Sequence, residues 1–190
     1  MNKQTLLTLA TLAAIASSAR AEGTTYQIDP THTFVTFEAS HFNTSTLRGR
    51  FDKKDGSVVL DRQAKSGKAE ITIDTTSIST GVGPLDGHLK SKDFFNASES
   101  PSVKFVGEQF SFDGDKITAV NGQLTMLGKT LPVTLKANRF NCYNNPLLKR
   151  EVCGGDFEAE ILRSDYGSTF GLPFVGDKVR LLIAVEGIRQ

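Results

Sequence analysis

The stretch "DKVRLLIAVEG" (residues 177–187) decides the fold, because apolar side chains recur at every second position within it. The same period of two occurs in "KAEITID" (68–74) and in "LPVTLKA" (131–137). Side chains of a β-strand point alternately to opposite faces, so these segments are predicted to be half-buried strands. On the apolar face of the first stretch lie Val179, Leu181, Ile183 and Val185.

Residues that favour tight turns stand between the predicted strands. They occur at Lys53-Lys54-Asp55-Gly56, Asp113-Gly114-Asp115, Asn121-Gly122, Leu127-Gly128-Lys129 and Gly176-Asp177. Glycine and asparagine adopt the positive φ angles that two-residue hairpin loops require. Short strands joined in this way predict an all-β protein, built as an antiparallel barrel or sandwich.

One segment interrupts the rhythm of strands and turns. Residues 84–98, "PLDGHLKSKDFFNAS", place Leu89 three residues after Asp86, and Ser100-Pro101 then returns the chain to an extended conformation. We predict one or two short helical turns in this segment.

The first residues have the pattern of an export signal. Lys3 gives a short positive start, residues 6–16 are apolar, and Ala19 and Ala21 stand at the spacing that signal peptidase recognises. The apolar run is shorter than the roughly 20 residues that a membrane helix needs. We therefore predict a signal peptide over residues 1–21 and a single exported domain over residues 22–190. The predicted location is the periplasm, with the outer surface or the medium as alternatives.

The charge balance gives no sign of a nucleic-acid partner. The chain has 22 basic and 21 acidic residues, and removal of Lys3 and Arg20 with the signal peptide leaves 20 basic residues. A nearly neutral domain lacks the basic surface that binds nucleic acid.

The two cysteines bracket "CYNNPLLKREVC" (142–153). In an exported chain, two cysteines this close predict a disulfide between Cys142 and Cys153 that closes a surface loop. The alternative is a metal site, but a cysteine pair without a nearby histidine supplies only half of a zinc coordination shell.

The three histidines are the candidates for chemistry. His32, His41 and His88 could form a metal site with Asp29 or Asp86, but none has the spacing that places two histidine ligands on one element. Asp86 could orient His88 for acid or base catalysis, or it could cap the first helical turn while His88 forms a polar rim. His41 shares the parity of the strand before it, so it should point into the interior as a buried histidine or as a contact for a ligand head group.

The large apolar side chains leave the nature of the interior open. There are 13 Phe and no Trp, and many Phe share strand parity with aliphatic residues. Such a set can fill a small barrel completely, or it can line a cavity that holds a ligand.

The whole chain after the signal peptide resembles the YceI-like family, exported proteins of lipocalin-like fold that bind polyisoprenoids. The resemblance rests on "IDPTHTFVTFEASHF", "GRFDKKDGSVVLD", "SISTGVGPLDGHLKSKDFFNASESPSVKF", "VNGQLTMLGKTLPVTL" and "RSDYGSTFGLPFVGDKVRLLIAVEGI", in this order. Asp86, His88 and Leu89 match the family's Asp-x-His-Leu, and Arg163, Asp165 and Gly167 match its late Arg-x-Asp-aromatic-Gly. Leu85 departs from the pattern, since the family usually has a basic residue there.

The resemblance implies an eight-stranded antiparallel barrel with a short helical lid segment (residues 84–98), and a cavity for a long isoprenoid chain, as in a polyprenyl lipid or a quinone. Its head group would lie at a mouth formed by His41, Asp86 and His88. The residues implied to contact the lipid tail are Val35, Phe37, Phe51, Ile73, Phe94, Phe95, Phe105, Leu124, Met126, Leu135, Ile161, Leu181 and Ile183.

The predicted function is therefore that of a lipid carrier, reservoir or sink, without catalysis, cofactor or metal. Its partners would be the isoprenoid lipid and, transiently, a membrane or a membrane protein, and the chain would be a monomer or a homodimer. Two alternatives stay open: a surface interaction protein with a filled barrel, and an enzyme that acts on isoprenoid lipids through Asp86 and His88.

Overall fold

The structure is a computed structural model that describes residues 23–190, so the predicted signal peptide (1–21) lies outside the described residues. The strands in this part of the chain are β1 (Thr24–Ile28), β2 (Phe34–His41), β3 (Ser45–Phe51), β4 (Lys54–Asp61), β5 (Ser66–Asp74), β6 (Ile78–Ser79), β7 (Ser102–Asp113), β8 (Lys116–Met126), β9 (Lys129–Asn145), β10 (Arg150–Leu162) and β11 (Val175–Arg189). The α-helix is α1 (Gly83–Lys90). In residues 23–190, no helix is both long and apolar enough to cross a bilayer.

Eight of the strands close into an antiparallel barrel. The order around the ring is β1-β4-β5-β7-β8-β9-β10-β11, and the pairing of β1 with β11 closes it. The predicted fold class, an eight-stranded barrel with a short helix, is confirmed. Closure leaves no free edge strand in the ring, which removes a route to aggregation.

The remaining strands extend the barrel wall at one end. β11 pairs with β1 near its C-terminus and with β2 over most of its length, so β1 and β2 lie end to end along the same side of β11. Residues 29–33 separate them with a turn in which the Asp29 carboxylate accepts hydrogen bonds from the backbone N–H and the hydroxyl of Thr31. β3 then pairs with β2, and the two-residue β6 pairs with β3.

The predicted strand alternation is confirmed. The residues with period two in β5, β9 and β11 turn one face to the barrel interior, and Ile73, Val133 and Leu181 line it. The opposite faces carry charged side chains that pair across strands, as between Arg180 and Glu158, whose Nη2 and Oε2 atoms are 2.6 Å apart.

Of the five turn predictions, two are confirmed and two are wrong, and the fifth, Lys53-Lys54-Asp55-Gly56, meets the connection from β3 to β4 only at Lys53, because β4 begins at Lys54. β7 and β8 turn at Gly114, and β8 and β9 turn at Leu127-Gly128, where both φ angles are positive. Asn121-Gly122, by contrast, lies inside β8 at a shift in the register with β7. A Cβ atom on Gly122 would lie 2.3 Å from the carbonyl oxygen of Val106, so the glycine permits a close approach of two strands. Gly176-Asp177 likewise lies in a bulged part of β11.

The disulfide between Cys142 and Cys153 is present, but it does not close an irregular surface loop. Cys142 lies in β9 and Cys153 in β10, and the two residues are direct cross-strand partners in a long hairpin. The turn of this hairpin covers residues 146–149. Hence the bridge fixes the register of two strands that were already paired, and Cys153 contributes to the barrel core.

The helix α1 follows β6 and starts the lid segment predicted for residues 84–98. Pro84 stands in its first turn, where the missing backbone N–H costs no hydrogen bond. Leu89 is its buried residue and packs into the core. After Ser91 the chain continues in tight turns as far as Ser100, with the backbone N–H groups of Asn96 and Ala97 donating to the carbonyls of Ser91 and Lys90.

Candidate functional site

A cavity of about 440 Å³ lies inside the barrel. Its walls are almost entirely apolar, because each strand turns its apolar face inward. All of the residues predicted to contact a lipid tail line this cavity: Val35, Phe37, Phe51, Ile73, Phe94, Phe95, Phe105, Leu124, Met126, Leu135, Ile161, Leu181 and Ile183. The interior is therefore not completely filled by its own side chains.

One end of the cavity, here called the disulfide end, lies where Cys153 faces the interior. Tyr26 is buried there, and its hydroxyl donates a hydrogen bond of 2.5 Å to Oε1 of Glu151, whose other oxygen accepts from Arg62 at 2.8 Å. Burial and the adjacent Glu151 carboxylate raise the pKa of Tyr26 to about 12. The polar side chains of Tyr26, Glu151 and Arg62 are thus paired with one another at this end.

The opposite end, here called the mouth, is bounded by His41, His88, Phe170 and Val175, all of which line the cavity. His41 is the last residue of β2 and is exposed, with its ring edge-on to Phe42 at 4.9 Å. The interpretation of His41 as a buried histidine is therefore wrong, and the residue lines the end of the cavity.

Asp86 and His88 do not orient one another. The Asp86 carboxylate accepts hydrogen bonds from the backbone N–H (2.7 Å) and the hydroxyl (2.6 Å) of Thr80, and these bonds lower the pKa of Asp86. Nε2 of His88 lies 3.1 Å from Oδ2 of Asp93 instead. The two side chains leave α1 in different directions, so the structure lacks the paired geometry that catalysis through Asp86 and His88 would need.

Asp86 also lacks the two other features predicted for it, a place at the mouth and a cap on the first helical turn. It is not among the residues that line the cavity. It does not cap the helix either, because Val82 occupies the N-cap position and makes no side-chain cap bond there. Through Thr80 the carboxylate instead fixes the connection between β6 and α1, and so it positions the lid segment.

The two aromatic residues of the lid segment have different surroundings. The Phe95 ring packs inside the barrel, 5.4 Å from the ring centre of Phe51 and 6.4 Å from that of Phe37. The Phe94 ring lies at the mouth, 5.0 Å from His88 and 5.5 Å from Phe170. One aromatic ring therefore anchors the lid segment to the core, and the other lies at the opening.

Arg163 holds the loop that forms the other side of the mouth. Its guanidinium is buried and donates hydrogen bonds of 2.9 Å to the carbonyls of Gly176, Ser168, Phe170 and Val175. Burial lowers the pKa of Arg163, and the charge of Asp177 opposes that effect. Because its donors are used by backbone carbonyls, the side chain shapes the loop of residues 163–174 and ties it to the start of β11.

Comparison with known proteins now identifies the family. The sequence model of the YceI-like domain matches residues 26–187. The chain belongs to the YceI-like family. A UPF0312 protein of Pseudomonas aeruginosa is 35% identical over 193 residues, covering 100% of both chains. Protein YceI of Escherichia coli O157:H7 is 33% identical over 191 residues, covering 99% of each.

Solved structures share the fold of this YceI-like chain. Burkholderia cenocepacia BcnA superposes with a TM-score of 0.67 at 23% identity, over 84% of this chain and 98% of the other. A polyisoprenoid binding domain from Saccharophagus degradans, implicated in plant cell wall breakdown, gives 0.66 at 16% identity, over 87% and 98%. At these identities the comparison establishes the shared barrel.

The three histidines predicted as metal-ligand candidates do not meet at one site in the described part of this YceI-like barrel, since His41 and His88 line the mouth and His32 does not. Nδ1 of His32 pairs with the Asp29 carboxylate at 2.7 Å in the turn between β1 and β2, and this bond raises the pKa of His32. Within the described part of the chain, the one group of three metal-type donors is Cys142, Glu151 and Cys153. Its two sulfur atoms are joined to each other, so they do not offer thiolates.

Sequence reasoning missed the aromatic residues at the rim of the mouth. Phe42, Phe170 and Phe174 are 56%, 48% and 60% exposed, which is unusual for such large apolar side chains. The Phe42 and Phe174 rings stack at 5.3 Å, and the backbone N–H of Phe42 donates to the Phe174 carbonyl at 2.6 Å. The signal was present in the sequence, since all three lie outside the alternating strand pattern, next to turn residues.

Proposed function

We propose that this YceI-like protein binds a long isoprenoid lipid, either a polyprenyl lipid or the side chain of a quinone, with the tail in the barrel cavity. The observation that carries the proposal is an apolar cavity of about 440 Å³ that reaches from the mouth to the disulfide end. The description of the Saccharophagus degradans domain of the same fold as polyisoprenoid binding supports the ligand class.

Burial of the tail supplies the affinity. Each methylene group removed from water contributes about 0.8 kcal/mol, from which the cost of ordering the chain is subtracted. With apolar walls, the site would recognise the length of a tail more than its detailed chemistry. Met126 lies in the wall, and its flexible thioether can adjust to tails of different shape.

The head group stays at the mouth in this proposal. His41 and His88 are the imidazoles at the opening and can donate or accept a hydrogen bond to a quinone or phosphate oxygen. Lys92 follows His88 closely in the lid segment, is exposed and carries a positive charge. Asp86 acts indirectly, through the hydrogen bonds by which it holds Thr80 and therefore α1.

The biological role that we propose is that of an exported carrier, reservoir or sink. Export to the periplasm rests on the predicted signal peptide over residues 1–21, with the outer surface and the medium as alternatives. Exposed Phe42, Phe170 and Phe174 around the mouth support transient contact with a membrane, from which the lipid would be taken. A monomer or a homodimer is compatible with this role.

The alternatives weighed from the sequence receive less support. An interaction protein with a filled barrel would not need the cavity that is present. An enzyme that uses Asp86 and His88 together would need the two side chains to meet, but Asp86 bonds to Thr80 and His88 to Asp93.

Native mass spectrometry of protein purified from its own exported compartment, followed by organic extraction and lipid mass analysis, tests the proposal. We expect one isoprenoid or quinone molecule per chain. An empty protein that also fails to take up added solanesol or farnesol would contradict the proposal, because the cavity would then have no isoprenoid ligand.

A further inference from the structure

The barrel wall contains a seam between β9 and β10 that starts at the mouth. The hydrogen-bonded register of these two strands runs from Asn145 opposite Arg150 to Lys136 opposite Glu158. β9 continues beyond this point as a partner of β8, as far as Lys129, and β10 continues as a partner of β11, as far as Leu162. In the described structure, no register pairs join residues 129–135 to residues 159–162.

An outer cleft of about 320 Å³ lies over this seam. Val133 and Ile161 line both the outer cleft and the inner cavity. At this place, therefore, side chains separate the interior from the outside, whereas in the rest of the β9–β10 hairpin the two strands are joined by backbone hydrogen bonds. The other residues of the cleft are Leu131, Pro132, Glu160, Leu162, Asp165, Tyr166 and Lys178.

The Tyr166 ring plugs the seam. It is 2% exposed, packs against the apolar core and also lines the outer cleft. Burial raises the pKa of Tyr166, and the negative charge of Asp165 adds to the effect. The ring is carried by the loop that Arg163 holds, so it is attached to the mouth and not to either strand of the seam.

In residues 23–190, one polar contact joins the two sides at the top of the seam. Nζ of Lys129, the first residue of β9, donates a hydrogen bond of 2.9 Å to the carbonyl of Asp165, in the loop that follows β10. Leu127 and Arg163, which flank the two strand ends, both line the cavity. The seam is thus continuous with the mouth.

Opening the seam requires less than separating β9 and β10 where they are paired. Separation of two paired strands leaves backbone N–H and C=O groups without partners inside a sheet, which is unfavourable. Between residues 129–135 and 159–162, only side-chain contacts and the bond from Lys129 to Asp165 have to give way. A long, flexible lipid chain can then enter sideways through the seam, and does not have to thread end-on through the mouth.

We propose that the seam between β9 and β10 is a side entrance to the cavity for the apolar chain of an isoprenoid lipid, with Tyr166 as its plug and Lys129 as its latch. The inference rests on the proposed function, since it concerns how the same cavity is loaded. The apolar floor formed by Leu131, Pro132 and Leu162 suits the passing chain, and the Lys178 and Glu160 side chains pair with each other at 3.0 Å beside it.

A bridge across the seam provides the test. In the variant Pro132→Cys/Leu162→Cys, both thiols lie on exposed residues of the cleft, and the native cysteines are joined in the disulfide. One sample is bridged with a bismaleimide, and its control is alkylated with N-ethylmaleimide. Each is loaded with solanesol or farnesol, and release into phosphatidylcholine vesicles is followed by native mass spectrometry.

The bridge should slow the release of solanesol by about tenfold, because seam opening would then limit the rate, and it should slow the shorter farnesol less. Equal release from bridged and alkylated protein would overturn the side entrance. The initial loading is measured in the same spectra. If neither isoprenoid binds, the result contradicts the proposed function itself. If an isoprenoid binds but its release rate is unchanged by the bridge, the result contradicts only the side entrance.

Two substitutions test the plug and the latch without a bridge. Tyr166→Ala and Lys129→Met should each accelerate solanesol release, whereas Tyr166→Phe, which keeps the ring, and Lys104→Met, on the paired strand β7, should not. Lys129 is exposed, so its variant should fold even if the Tyr166→Ala protein does not. Unchanged release from a folded Lys129→Met protein would show that this bond is not a latch.

Discussion

The guanidinium carbon of Arg163 lies 5.8 Å from the centre of the Phe94 ring, on its face. This contact joins the two irregular segments of the barrel, the lid segment and the loop after β10. Phe94 also touches Phe170, whose carbonyl accepts a hydrogen bond from the same guanidinium. The two sides of the mouth therefore form one packed unit, and a change at Arg163 should affect both.

Arg163→Lys should destabilise the protein although the charge is kept. The native guanidinium donates to four backbone carbonyls, and an ammonium group has three donors without the planar geometry. The carbonyls left without a partner should cost about 2 kcal/mol in the free energy of unfolding, measured by urea denaturation. Arg48→Lys is the control, because Arg48 is exposed and forms one ion pair with Glu38. A similar small loss in both variants would contradict the bracing role of Arg163.

Phe94 and Phe95 should respond differently to substitution by alanine. Phe94→Ala removes roughly 1 kcal/mol of apolar contact at the mouth, which corresponds to about fivefold faster release of bound solanesol, with little loss of stability. Phe95→Ala should instead lower the free energy of unfolding by about 2 kcal/mol, because this ring packs against Phe37 and Phe51.

The matched control for these two variants is Phe34→Ala. Phe34 is an exposed phenylalanine of β2, and its ring lies below the Lys54 ammonium group outside the cavity. Stopped-flow release and urea denaturation of the three variants separate the two roles. Identical release rates from the Phe94→Ala and Phe34→Ala proteins would exclude Phe94 as a cover of the mouth.

The barrel and its lining could be predicted from the sequence because both follow from a local rule. A strand such as β11 shows its buried face through period-two alternation, and Leu181 and Ile183 lie inside for that reason. The family resemblance then selected a barrel over a sandwich. Neither signal depends on contacts between side chains that are far apart in the sequence.

The predictions that were wrong concern contacts between residues from different parts of the chain. Asp86 and His88 are two residues apart, yet their directions are set by Thr80 and Asp93. Asn121-Gly122 has the composition of a turn, but in β8 the glycine accommodates the backbone of β7. The plug at Tyr166 could not be foreseen either, since it exists because two strands stop pairing after Lys136 and Glu158.

The exposed rings at the mouth should govern membrane contact. Phe42→Ser/Phe174→Ser removes two rings that would each gain about 1 kcal/mol by partial insertion, so partitioning onto phosphatidylcholine vesicles should fall roughly thirtyfold in a sedimentation assay. Leu147→Ser/Leu148→Ser, at the tip of the disulfide hairpin, is the control, and Leu147 is 89% exposed. If the hairpin variant loses vesicle binding and the mouth variant keeps it, the protein docks by the opposite end.

Tyr26 should make the stability of the protein sensitive to alkaline pH. Its pKa is raised from 10.0 to about 12 in the folded state, first by burial and then by the Glu151 carboxylate that accepts its hydrogen bond. Folding therefore favours the protonated phenol. This contribution is fully present below pH 10, where the unfolded chain is also protonated, and is lost as the pH rises from 10 to 12.

The Tyr26→Phe variant isolates this titration, because phenylalanine has no proton to lose. Below pH 10 the native protein should exceed the variant by about 1 kcal/mol, the contribution of one hydrogen bond. Between pH 10 and 12 its free energy of unfolding should fall by about 2 to 3 kcal/mol relative to the variant. Lysine residues titrate equally in both proteins, so their effect cancels in the difference. Urea denaturation at several pH values measures it, and a difference that stays constant from pH 8 to 12 would mean that the Tyr26 phenol ionises as readily in the folded barrel as in the unfolded chain.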